Sequence, residues 1–289
     1  MSMKLSICTW NIGCAALGRD ADFVIDGGKS FFASNKKQVE RYLEGILKQL
    51  TVMIEEHDVD VFFIQEVSRK SPASIFIDVR GAVEELLEKH GYQMQYDSVF
   101  SIFGWFFQHG QLIAYKAKHN NVKTVTLSPF ERIWIFWQLL RKLTLVEIPK
   151  YNLILGNIHT TGHEKINLET QRQVKNILSE VAQMRMKYDH VLIGGDWNMN
   201  FPNTKHKYGE RSYVASGDEE LVNPAGMQFV TAEYPTIRSL DKPYDRTNKI
   251  GNIDGFLLSS RMHLKSTIPV DQDFENSDHE PVLAIVELQ

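Results

Sequence analysis

At six places in this chain an apolar, strand-like run abuts a side chain that an apolar run does not need: an acid, an amide or an imidazole. Leu5–Trp10 runs into Asn11, Phe63-Ile64-Gln65 into Glu66, and Leu155-Gly156-Asn157-Ile158 into His159. Val191–Ile193 runs into Gly194-Gly195-Asp196-Trp197-Asn198, and Asn252-Ile253-Asp254 and Ser277-Asp278-His279-Glu280-Pro281 complete the series. A polar group set against a buried strand costs free energy unless it is paired or binds something. Singly, each has a structural explanation: Asn11 as a turn residue, Glu66 as a charge at a helix start, Asp196-Trp197-Asn198 as an Asx-turn, and Asp278-His279 as an internal hydrogen bond. Together they point to one shared site. A hard divalent cation with a phosphate would account for them, because Mg²⁺ takes one or two carboxylates plus phosphate oxygens and water.

The periodicity between these points is that of an α/β protein. Three- and four-residue spacing of Val39, Tyr42, Leu43, Ile46, Leu47, Leu50 and Ile54 predicts a helix over Asn35–His57. A second helix is expected from Pro72 to His90, stopped by Gly91, and a third from Asn167 to Tyr188 with Val174, Ile177, Leu178, Val181, Ala182 and Met186 on one face. Strands are expected at Leu5–Trp10, Val59–Ile64, Gln93–Val99, Gln111–Tyr115, Val122–Leu127, near Ile133–Ile148, at Asn152–His159 and at Val191–Ile193. Three more follow at Ile253–Ser259, His263–Pro269 and Pro281–Leu288. The polar segment 201–249 reads as a long functional loop with short elements. No internal repeat and no linker-like shift in composition divides the chain, so a single domain over residues 1–289 is expected.

Composition excludes several classes. With 43% hydrophobic residues and a net charge of −4, the chain is not disordered. No run approaches the roughly 18 apolar residues of a membrane span, and the N-terminus lacks a Sec-type signal. Two cysteines, Cys8 and Cys14, are no disulfide framework and suit a reducing compartment, so a cytoplasmic location is expected. A pI near 6.2 offers no basic nucleic-acid surface, though an acidic enzyme still acts on DNA through a local groove and bound metal.

In order along the chain, Thr9-Trp10-Asn11, Ile64-Gln65-Glu66, Asn157-Ile158-His159, Gly195-Asp196-Trp197-Asn198, Ile253-Asp254 and Ser277-Asp278-His279-Glu280-Pro281 resemble the motifs of the endonuclease/exonuclease/phosphatase superfamily. That superfamily includes deoxyribonuclease I, exonuclease III-type nucleases, neutral sphingomyelinases and inositol polyphosphate 5-phosphatases. The resemblance runs from residue 9 to residue 281. It implies a four-layer α/β sandwich, with two mixed β-sheets packed face to face and helices outside. It also implies a hydrolase of phosphate esters using Mg²⁺, with Mn²⁺ as a substitute. Glu66 would be the main metal carboxylate, with Asn11 and Asp278 beside it. Asp196 would position and deprotonate the attacking water, and Asn198 would hold that water or a phosphate oxygen. His159, and His279 oriented by Asp254, would donate to the phosphoryl oxygens, and the same carboxylate should keep His279 charged near neutral pH.

The substrate is less constrained. Phosphodiester cleavage in nucleic acid by a monomeric enzyme is the leading expectation. A sphingomyelinase-like phospholipid phosphodiesterase or an inositol-phosphate phosphatase is the second, and a non-catalytic binding protein of the same fold is remote. The Arg-x-x-Tyr pattern of deoxyribonuclease I is absent between Glu66 and His159. Trp197, Arg238 and Arg246 are candidate substrate contacts. The aromatic clusters 100–107 and 133–137 read first as buried strands; exposed, they would offer a membrane surface or a stacking platform for bases.

Overall fold

The computed structural model describes residues 3–24, 27–31, 34–102, 107–116, 122–133, 137–162, 167–202, 204–209 and 226–289. In chain order its elements begin with β1 (Met3–Asn11), α1 (Lys36–His57), β2 (Val61–Arg69), α2 (Val79–Lys89), β3 (Gln93–Ile102), β4 (Phe107–Tyr115), β5 (Val122–Ile133) and β6 (Trp137–Ile148). They continue with β7 (Leu153–His159), α3 (Asn167–Met184), β8 (His190–Asp196), β9 (Gln228–Val230), β10 (Ile237–Arg238), β11 (Ile250–Gly251), β12 (Asp254–Leu258), β13 (Met262–Ile268) and β14 (Val282–Leu288). One six-stranded sheet has the order β13-β14-β1-β2-β4-β3 and the other β5-β6-β7-β8-β12-β9; both mix parallel and antiparallel pairs.

Alternation along the strands explains the layers. In β1, Leu5 and Ile7 face the opposite sheet while Cys8 and Trp10 face α1; in β2, Val61 and Phe63 face inward and Phe62 and Ile64 outward. The inward residues meet Leu155 of β7, Leu192 of β8 and Phe256 of β12 in a core between the sheets. The outer face of the first sheet is covered by Val39, Ile46, Leu50 and Met53 of α1 and Val83 and Leu87 of α2. Val174, Ile177 and Val181 of α3 cover the second. The result is the expected α/β/β/α sandwich.

Helix boundaries follow local chemistry. Asn35 caps α1 in a reciprocal box with Gln38, and Asp58 ends it in a left-handed conformation. The second helix begins at Val79 rather than Pro72, because Ile75 and Phe76 have left-handed backbones (φ 48° and 63°) that a right-handed helix cannot contain; Asp78 then caps the Gly81 N–H. The third ends at Met184, four residues early, so Met186 is exposed rather than part of the buried face. The strand expected to stop at Ile64 continues to Arg69 through a bulge. Within 201–249 the described residues include β9 and β10, with β11 directly after the segment; residues 203 and 210–225 lie outside them.

At one end of the sandwich the inter-sheet core is polar. Gln65 Nε2 donates to Asn157 Oδ1 (2.7 Å), and Asn157 Nδ2 donates to the carbonyls of Ile64 (3.1 Å) and Leu112 (2.9 Å). Gln111 Nε2 reaches Thr144 Oγ1 (2.8 Å) and the Asn157 carbonyl (2.9 Å), and the Thr144 hydroxyl donates to Asp97 (3.1 Å). These side chains come from both sheets and tie them together where the polar strand ends emerge. Close approach elsewhere requires glycine: a Cβ on Gly194 would lie 2.6 Å from the Phe63 ring of the facing sheet.

Two stability outcomes are expected in urea or thermal unfolding. Asn157→Leu strands the Ile64 and Leu112 carbonyls and the Gln65 amide, and should cost at least about 2 kcal/mol. Gly194→Ala overpacks the facing rings and should cost about 1–3 kcal/mol. Unchanged midpoints would contradict this packing.

Candidate active site

The strand ends converge because of register. In the parallel pair β1/β2, Asn11 stands opposite Gln65; in β7/β8, His159 stands opposite Asp196, and Asp254 of β12 pairs with Asp196 from the other side. His159, Asp196 and Asp254 are therefore lateral neighbours on three adjacent strands. Glu66 sits in the β2 bulge, between Ile64 and Val67, with a left-handed backbone (φ 55°). A bulge breaks the two-residue alternation and re-aims the side chain, which is why Glu66 reaches the same pocket. Asn198 is left-handed too (φ 50°), its N–H donating to Asp196 Oδ1 (2.9 Å) and its side-chain amide to the Thr160 carbonyl (2.9 Å). The Ser277–Pro281 loop is strapped to the end of β1: Ser277 Oγ donates to the Asn11 carbonyl (2.9 Å) and Trp10 Nε1 to the His279 carbonyl (2.9 Å).

The polar side chains then meet across a few ångströms. Asn11 Nδ2 donates to Asp196 Oδ2 (3.1 Å) and Glu66 Oε1 (3.3 Å), while Asn11 Oδ1 accepts the Gly13 N–H (3.0 Å). His159 Nε2 lies 3.5 Å from Asp196 Oδ2 and 3.9 Å from Glu66 Oε1. His279 Nδ1 is 2.9 Å from Asp254 Oδ2, and its Nε2 faces Asp196 Oδ2 (3.8 Å) and Asp278 Oδ2 (3.9 Å).

The two imidazoles differ in charge. Burial works against a proton on His279, but Asp254, Asp278 and Asp196 outweigh it and raise its pKa to about 10. Burial, then the charge of Arg141, holds His159 well below the usual histidine range. Burial and the neighbouring Asp254 raise Asp196, against the pull of His279. The pocket thus pairs a neutral imidazole, an imidazolium and a carboxylate whose proton affinity is increased.

Asn11, Glu66, His159, Asp196, Asn198, Asp254, Asp278 and His279 are brought together; the candidate substrate contacts are not. Trp197 is fully buried, with Nε1 donating to the Gly255 carbonyl (3.2 Å). Arg238 is also fully buried, its guanidinium donating to the carbonyls of Gly18 (2.6 Å) and Ser239 (2.9 Å), so it braces a loop instead of meeting a ligand. Arg246 lies at the surface in an ion pair with Asp273 (2.9 Å). Both aromatic clusters fall where strands of an antiparallel pair end, with Ile102 opposite Phe107 and Ile133 opposite Trp137; residues 103–106 and 134–136 and the surrounding side chains lie outside the described residues. Three groups escaped the sequence reading. Arg141 is buried and acts electrostatically on both His159 and His109, and Cys14 and His109 stand beside Glu66. Both cysteines are free.

Asp254→Asn should lower the pKa of His279, followed by NMR of its imidazole. In the native protein the ring should stay protonated through pH 8. A raised histidine pKa adds stability that is complete below the ordinary value of 6.5 and fades as pH rises toward about 10, and this contribution should shrink in the variant. A His279 titration unmoved by Asp254→Asn would contradict the geometry.

No protein-family model matches this chain, and no curated protein sequence does. Solved structures do resemble it. An endonuclease/exonuclease/phosphatase protein from Beutenbergia cavernae superposes with a TM-score of 0.66, covering 99% of this chain and 72% of its own, at 17% identity. ANGEL2, described as a 2′,3′-cyclic phosphatase and solved with adenosine-2′,3′-vanadate, gives 0.64 over 99% and 96% at 16% identity. TDP2 from Caenorhabditis elegans gives 0.62 over 98% and 74% at 13% identity. At such identities the shared property is the architecture: the chain has the deoxyribonuclease I-like fold of the endonuclease/exonuclease/phosphatase proteins.

Proposed function

We propose that residues 1–289 act as one domain, a divalent-metal-dependent phosphoesterase that cleaves a phosphodiester by in-line attack of water. The observation that carries this reading is the opposed pair in the pocket: the His279 imidazolium held by Asp254, facing Glu66 and Asp196 across Asn11.

The donor set suits a hard cation. Asp196, Asp254 and Asp278 place three carboxylates around His279, Glu66 stands beside Asn11, and Asp254 Oδ1 is buried with no hydrogen-bond partner among the described residues. Glu66 and Asp278 would hold Mg²⁺, with Mn²⁺ as a substitute. Asn11 presents its nitrogen, not its oxygen, to the carboxylates in this conformation, and so positions Glu66 and Asp196. When bound, the cation supplies Lewis-acid polarisation of the phosphoryl oxygen.

The chain's own residues do the rest. Asp196, with its raised proton affinity, accepts a proton from the attacking water and is held in place by Asn11 Nδ2 and the Asn198 N–H. His279 offers a charged N–H, and His159 a neutral one, to the oxygens on which negative charge builds. Arg141 adds a buried positive charge on the same side as His159.

Nucleic acid or a nucleotide ester is the favoured substrate. The support is the adenosine-2′,3′-vanadate bound in ANGEL2, a protein of the same fold. Lipid phosphodiesters remain the second reading, resting on the aromatic clusters 100–107 and 133–137. No helix among the described residues is long and apolar enough to cross a membrane.

The test offers plasmid DNA, single-stranded RNA, sphingomyelin vesicles and phosphoinositides with Mg²⁺ or with EDTA. Turnover should require the metal, favour a nucleic acid, and fall at least about 100-fold in Glu66→Ala, Asp196→Ala and His279→Ala. Asp196→Ala at the native rate, or full activity in EDTA, would overturn the mechanism. Turnover of lipid alone would overturn the substrate assignment.

A further inference from the structure

Glu66 has two oxygens and two sets of neighbours. Oε1 faces Asn11 and His159 in the pocket described above. Oε2 faces the other way, toward the Cys14 thiol at 3.7 Å, and the same sulfur lies 3.4 Å from His109 Nδ1. The thiol, the imidazole nitrogen and the carboxylate oxygen all lie within 4.8 Å of one another.

Three separate elements build this cluster. Cys14 lies in the short turn Gly13–Ala15 after β1 and is held left-handed (φ 54°). Glu66 comes from the β2 bulge. His109 comes from β4, paired with Ser68 just beyond that bulge and facing a second bulge in β3 between Ser98 and Phe100. Backbone irregularity at each contributor turns the three side chains together.

We infer that Cys14, His109 and Glu66 form a second cation site, for a borderline transition metal of the zinc class. Zinc binds thiolate at about 2.3 Å, imidazole at about 2.0–2.1 Å and carboxylate at about 2.0–2.2 Å, so tetrahedral ligand atoms lie about 3.6 Å apart. The observed 3.4 Å and 3.7 Å separations bracket that edge, so a cation could enter with little movement of the sulfur. Thiolate and imidazole select such a metal over Mg²⁺, which prefers oxygen. On binding, the Cys14 S–H bond breaks, a sulfur–metal bond forms, and the proton leaves to solvent. Water or a phosphate oxygen fills the fourth position. Because Glu66 would serve both cations, zinc-class metal and Mg²⁺ should influence each other's binding; that coupling rests on the phosphoesterase reading, whereas the site itself does not.

The test uses Co²⁺ as an optical probe on the full chain, without turnover. The native protein should take up one equivalent at this site and develop the near-ultraviolet charge-transfer band of a cobalt–thiolate bond, and Zn²⁺ should bleach it. Cys14→Ser should abolish the band and His109→Ala should weaken Co²⁺ affinity at least about tenfold. Cys8→Ala should retain the band, since Cys8 is packed in the core against Met53 Sδ (3.5 Å). A native protein that gives no thiolate band, or a band that survives Cys14→Ser, overturns the site. Both results are independent of whether any phosphate ester is hydrolysed.

Discussion

The hydrogen bond between Gln65 and Asn157 is the interaction on which the rest of the site depends. Each amide immediately precedes, or lies two residues before, a side chain of the pocket: Gln65 adjoins Glu66, and Asn157 leads to His159. One belongs to each sheet. Two sheets held only by apolar contacts can slide, because hydrophobic contact is not directional. A buried amide pair at 2.7 Å, backed by two bonds from Asn157 to main-chain carbonyls, allows one alignment only. Any slip leaves several buried polar groups unpaired, so the cost of misalignment is high. The half-site on β1 and β2 thereby meets the half-site on β7, β8 and β12 at hydrogen-bonding distance.

Local strain completes what register begins. Glu66, Asn198 and Cys14 all have left-handed backbones without being glycine, and all three border the pocket. Such conformations are held only where the surroundings over-determine them, and they gather at sites where side-chain direction matters more than local comfort. The electrostatics follow from this crowding. Three carboxylates near one imidazolium, Asp254, Asp278 and Asp196, raise the proton affinity of His279. Burial keeps His159 neutral a few ångströms away. Two histidines with opposite protonation states, separated by Asp196, are well suited to receive a group on which negative charge is building.

Much of this was legible in the sequence because the signal was simple: an apolar run ending on a polar side chain. Asn11, Glu66, His159 and Asp196 carried it, with Asp254 opening an apolar strand and His279 standing just before one; strand register and the loop strapped to the end of β1 bring them together. The order of helices and strands was readable from periodicity for the same reason. What periodicity could not show was direction at the breaks. Trp197 and Arg238 lie beside or near pocket residues yet point into the interior, and nothing in their neighbours distinguishes the two faces of a turn. Cys14 and His109 are 95 positions apart and meet only because bulges in β2 and β3 rotate the chain. The late start of α2 has the same origin, in two left-handed residues, Ile75 and Phe76, that a helical pattern does not reveal.

The reaction we propose is a single displacement at phosphorus by water, assisted by groups from both sheets, with no covalent intermediate on the protein. The most direct measurement is the stereochemical course at phosphorus, using an isotopically chiral phosphorothioate form of whichever ester is turned over. One in-line displacement predicts inversion of configuration. Retention would mean two successive displacements through a covalent adduct, and would contradict the roles given to Asp196 and His279.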